Sequence, residues 1–135
     1  MGNGQKKDDL SSEDTARLRD LRKTLLHLHK ALLELERRSF ERTSGRVTAG
    51  ELLQLAISHP QFEWLRMISA LVVEIDEVLK GEEPATLADF ENLLSQARLL
   101  LTSPRNEDFK IKYQTALQHE PSVVMAHSAV MQLLR

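Results

Sequence analysis

The chain has 135 residues, a net charge of −2 and no cysteine. That length fits a single domain, and the missing thiols exclude disulfides, cysteine-ligated metals and iron–sulfur clusters. Nearly balanced charge gives no overall attraction to nucleic acid or to an anionic membrane.

Residues 1–10 read as a flexible polar tail. They contain no apolar stretch of the kind a secretory signal needs, and Lys6 stands where a myristoylation motif requires Ser or Thr. No apolar run approaches a membrane span. A cytoplasmic location in a reducing compartment is the expectation.

Residues 11–135 are expected to form one all-α domain, a four-helix-bundle-like fold. Helix one should start at Ser11 or Ser12 and run to about Arg42, roughly 45 Å at 1.5 Å per residue. Its Leu18, Leu21, Leu25, Leu28, Leu32 and Leu35 are spaced three and four apart, a heptad seam that Leu26 and Leu33 widen. Thr48 and Glu51 form a capping box that opens a short extra helix ending near Ile57. Pro60 should start helix two, because proline is tolerated only in a helix's first turn. That helix should reach Lys80 and stop at Gly81. Leu65, Ile68, Val72, Ile75 and Leu79 line one face, with Trp64, Leu71 and Val78 beside it, so the middle of the bundle is its expected place.

Thr86 should cap helix three, Leu87 to Thr102, with Phe90, Leu93, Leu94, Ala97, Leu100 and Leu101 inward. Ser103 and Pro104 read as the cap and first residue of helix four, which should carry Phe109, Tyr113, Ala116 and Leu117 to about His119. Pro121 interrupts the pattern. The last helix is therefore kinked or split there.

Candidate sites are sparse. His27 and His29 diverge by about 200° on a helix and cannot share an ion, so both are expected in solvent. His59 and Glu63 have helical spacing, which is half a metal site at most, and a two-metal bundle would need Glu-x-x-His motifs that the chain lacks. No metal or cofactor is expected. His127 lies among Val123, Val124, Val130 and Met131, so a buried, hydrogen-bonded histidine is the expected role. No phosphate loop, nucleophile elbow or zinc-protease motif occurs, and the chain is not expected to be an enzyme.

Charge is uneven: residues 1–47 carry net +3 and residues 48–135 net −5. Arg37, Arg38, Arg42 and Arg46 cluster at one end of helix one, and Glu74 to Glu91 is acid-rich. In an up-and-down bundle these clusters fall at opposite ends. The basic end would also gather Arg66 and Arg105, and with His59 and Trp64 these arginines are candidates for binding an anion or small ligand.

Two strings resemble known sequences. Ser58-His59-Pro60-Gln61-Phe62-Glu63 resembles a streptavidin-affinity peptide, which the flanking helical pattern marks as coincidence. His59 to Arg66, Ile75-Asp76-Glu77 and Glu120 to His127 together resemble an uncharacterised family of small bacterial helical proteins. That resemblance implies a bacterial, cytoplasmic chain and carries over no functional residue.

The reading these features support first is a non-enzymatic helical interaction module that binds a protein partner or a second copy of itself, as a homodimer. A length mismatch underlies the second option, since helix two would be about 31 Å and would leave part of the helix-one seam without a neighbour. An anion or small-ligand binder is the alternative. A helix-turn-helix reading for DNA binding comes last, because helix two is too apolar to lie in a groove.

Overall fold

The computed structural model describes residues 9–135, and among them it contains six α-helices and no strand. Helix α1 spans Ser12–Ser44, α2 Ala49–Ser58, α3 Arg66–Lys80, α4 Leu87–Thr102, α5 Glu107–His119 and α6 Pro121–Leu133. A six-residue 3-10 segment, Pro60–Leu65, joins α2 to α3. Most of the expected tail, residues 1–8, lies outside the described residues. Asp9 and Leu10 are part of the domain: Asp9 bridges Thr86, and the Leu10 amide donates to the Ala85 carbonyl at 3.1 Å.

Local sequence chemistry accounts for most helix ends. The Ser11 hydroxyl accepts from the Asp14 amide and starts α1, satisfying one of the amides a helix start leaves open. Thr48 with Glu51 and Thr86 with Asp89 both close reciprocal capping boxes. Gly45 ends α1 at φ 81°, a conformation that costs glycine little.

One open alternative is decided and two expectations give way. Glu120 is extended at φ −120° and ψ 104° and splits the last helix into α5 and α6, so four main helices and the short extra one become six. Helix α5 opens at Glu107 under an Asn106 cap, not at Pro104; Ser103 instead ends α4. The second change follows Pro60, where the chain winds as a 3-10 helix for two turns before α3 begins. The amide of Phe62 bonds to the His59 carbonyl at 3.0 Å, three residues back.

Leu18, Leu21, Leu25, Leu28 and Leu32 are fully buried, so the seam of α1 is the axis of the core. Helix α1 packs chiefly against α3 and α6. Arg22 meets Asp76, while Glu36 accepts from Gln61 at 2.8 Å and Trp64 at 3.1 Å, so α3 runs antiparallel to α1. On the other side Arg17 holds the carbonyls of Leu133 and Arg135, and Arg38 meets Glu120 at 3.0 Å. Helix α6 is therefore antiparallel to α1 as well. Placed end to end, α3 and the 3-10 segment cover one side of the long helix and α6 another. The expected overhang of bare leucine is absent.

At Gly81, where α3 stops, there is no room for a side chain. A Cβ built there lies 2.7 Å from the Glu77 carbonyl oxygen. Gly81→Ala is expected to destabilise the chain, within the usual range of about 0.5–3 kcal/mol. Gly50, inside α2 with nothing near its missing Cβ, should behave oppositely: Gly50→Ala is expected to add up to about 1 kcal/mol. Thermal melts of the two variants should move in opposite directions.

Candidate functional site

A trough of about 900 Å³ lies between α3 and α4, closed at one end by residues 103–108. Residues three and four apart share a helix face, and two such sets line it. Met67, Ala70, Leu71 and Glu74 come from α3; Gln96, Leu99 and Leu100 come from α4, with Ser103 at its C-terminal cap. Leu71 is buried, while Met67 is 37% and Leu99 50% exposed, so the floor is packed and the walls are accessible.

The trough is electrically polar along its length. Arg66 and Arg105 stand at its closed end with Glu63 and Asp108. Asp108 is paired with Lys112 at 3.3 Å. Towards the other end, Glu74 is shared with an adjoining depression lined by Glu77, Glu82, Glu83 and Asp89. Glu63 and Glu74 have no ion-pair partner among the described residues.

The candidate ligand-binding residues are placed as follows. Trp64, Arg66 and Arg105 line the trough, but two of them have structural tasks. Trp64 is buried and donates its indole N–H to Glu36. Arg66 donates to the carbonyls of Ala56 at 3.2 Å and His59 at 3.4 Å, closing the end of α2. Arg38 and Arg42 line a separate cleft with Arg46, Glu41 and Glu120. The two acids share that cleft with the three arginines, and Glu120 already pairs with Arg38. Arg37 is held between Glu34 and Glu41 on its own helix. Its guanidinium, hydrogen-bonded to Glu34, holds that carboxyl below the usual carboxylate range.

His59 caps the 3-10 segment, its Nδ1 accepting from the Gln61 amide at 3.1 Å, and its ring packs edge-on against Phe40 and Phe62. The half-site with Glu63 dissolves, because three residues per turn rotate positions four apart by about 120°. Among the described residues no three His, Asp or Glu side chains gather in a metal-sized cluster. Gln61 is bound to Glu36 and Phe62 is fully buried, so the His-Pro-Gln-Phe string is committed to the fold.

His127 is half-buried and meets the buried Tyr113 hydroxyl through Nδ1 at 2.6 Å, joining α5 to α6. Burial pushes the Tyr113 phenol up and the His127 imidazole down from 6.5. The expectation for His29 is corrected: it is half-buried and its imidazole is also lowered, whereas His27 is exposed. The sign of the pH effect follows. As pH falls below about 6.5, the unfolded chain takes up these protons before the folded chain does, so stability is lost on acidification. A fall from about pH 7.5 to about pH 5.5 is expected to lower the melting temperature. His29→Gln combined with His127→Gln should flatten that dependence; an unchanged slope would assign it to other groups.

Sequence reasoning missed Met67, Ala70, Glu74, Gln96 and Leu99 as site residues. A signal existed: Met67 and Leu99 are apolar positions off the main stripes of their helices. It looked like a broad core face. The expected central place of helix two is corrected accordingly, since Met67 and Val73 of α3 are open to solvent.

No protein-family model matches the sequence, and no curated protein or solved structure matches it. No helix among the described residues is long and apolar enough to cross a membrane.

Proposed function

We propose that this chain is a non-enzymatic interaction module that receives a protein partner in the trough between α3 and α4. One observation carries the reading: a concave surface between two helices whose walls expose Met67 and Leu99 while its floor is packed. Single exposed apolar residues are ordinary, but apolar walls on a concavity with charged rims fit the way helical domains hold partner segments. Helix α2 adds to the picture. It carries Leu53 and Ile57, each 59% exposed, and has no buried residue. The Arg66 bonds tie it to the start of α3.

A bundle reading of the fold belongs to the same proposal, with α1, α3, α4 and α6 as its staves. The antiparallel ties of α3 and α6 to α1 support it. So does the Arg98 bond from α4 to the Leu134 carbonyl after α6. A bacterial, cytoplasmic setting follows from the resemblance alone.

Site-specific photo-crosslinking in the cells that make the protein tests the reading. Benzoylphenylalanine in place of Leu99 should trap a discrete adduct, and the same group in place of Lys23, exposed on α1, should not. No adduct at Leu99, or identical adducts at both positions, would refute it.

A further inference from the structure

The charges around the trough specify what kind of segment fits it. A partner must cover Met67, Ala70, Leu99 and Leu100 with an apolar stripe, because these side chains line the space. At the open end it must meet Glu74, beyond which lie Glu77, Glu82 and Glu83. Lys80 is the one base in that stretch of α3 and the following turn, and it lies 3.9 Å from Asp76. From Met67 in the trough to Gly81 in the adjoining depression, the chain runs about 21 Å along α3, the length of a helix of about 14 residues.

We infer that the occupant is an amphipathic helix with an apolar stripe and basic residues at the end that lies over Glu74. The inference rests on the interaction reading given above and names the partner's chemistry. Charge complementarity decides between the occupants. Coulomb attraction to four acids favours Lys or Arg there, and a helix N-terminus pointing the same way adds its positive end. At the closed end Arg66 and Arg105 stand beside Glu63 and Asp108, so charge there is mixed and the acidic end sets the orientation. A second copy of this chain matches poorly. Its helix without a buried residue, α2, contains one charged side chain, Glu51, and no base.

The test uses the full chain and two 16-residue peptides lacking tryptophan. Both carry leucine at helical spacing; one has lysine on the polar face of its N-terminal half and the other glutamate there. Trp64, the sole tryptophan, lines the trough and reports binding by fluorescence. The lysine peptide is expected to bind about tenfold tighter than the glutamate peptide at low salt. Glu74→Lys should remove most of that preference, and Leu99→Ser should weaken both peptides about fivefold or more. Both replaced side chains are exposed, and circular dichroism verifies that the variants fold. Equal affinities, a preference unaltered by Glu74→Lys, or no binding of either peptide would overturn the inference. In those cases a Leu99 adduct in cells would still uphold a partner of different chemistry, whereas its absence would remove the interaction reading itself.

Discussion

Phe109→Ala is expected to cost about 3–5 kcal/mol, the range for deleting a large aromatic side chain from a packed core. Phe109 is fully buried near the start of α5. Its ring centroid lies 5.6 Å from that of Trp64 at a steep angle and 5.3 Å from that of Tyr113 in a stacked arrangement. Removing it opens a cavity and takes away two aromatic contacts, each worth about 0.5–1.5 kcal/mol beyond the buried area. Denaturant titration followed by Trp64 fluorescence measures the cost. Trp64 emission should also shift to the red in the native baseline, because water gains access to the indole. A loss under about 1 kcal/mol with unshifted emission would show that α5 does not dock as described.

Leu28→Ala is the second large effect, about 2–5 kcal/mol. Leu28 is fully buried at the middle of the α1 seam, flanked by Leu25 and Leu32, both also fully buried. Because α1 packs against both α3 and α6, no single neighbour can move in to fill the space without leaving another. That places the expected cost in the upper part of the range. Leu26→Ala, two residues away at a side chain that is 38% exposed, should cost far less, and His27→Ala should change stability little. Equal small effects at all three positions in thermal melts would mean that the stripe does not face the core.

The two losses are expected to act at different places. Phe109 belongs to the aromatic row Trp64–Phe109–Tyr113–His127, which ties the 3-10 segment, α5 and α6 together. Leu28 belongs to the long seam. Peptide binding in the trough should survive Leu28→Ala under conditions where the variant is folded, since that side chain does not line the trough. Phe109→Ala should weaken it, because the Phe109 ring packs against Trp64, which lines the trough.

How much of this was legible in the sequence varied with the distance over which each feature is decided. Helix starts at Ser11, Thr48 and Thr86 were readable because a cap is satisfied within three residues. The α1 seam was readable because five leucines repeat at the helical period. The end of α3 at Gly81 and the extended break before Pro121 were marked by residues whose backbone chemistry acts locally. Asn106 was passed over as a cap because Ser103-Pro104 offers the same local signal three residues earlier, and the two compete within one loop.

Tertiary structure alone decided the rest. Which apolar residues of α3 face the core and which line an open trough depends on where α1, α4 and α5 come to lie, and no spacing within α3 encodes that. Leu71 and Met67 share a helix face and differ in burial for this reason. The arginines grouped in the sequence were separated by their partners: Arg37 by Glu34 and Glu41, Arg38 by Glu120, and Arg66 by the carbonyls of Ala56 and His59. Glu120 is 82 residues from Arg38 along the chain. Periodicity and capping are short-range and can be read from neighbouring residues, whereas charge pairing and concavity arise from contacts that exist only once distant helices have packed.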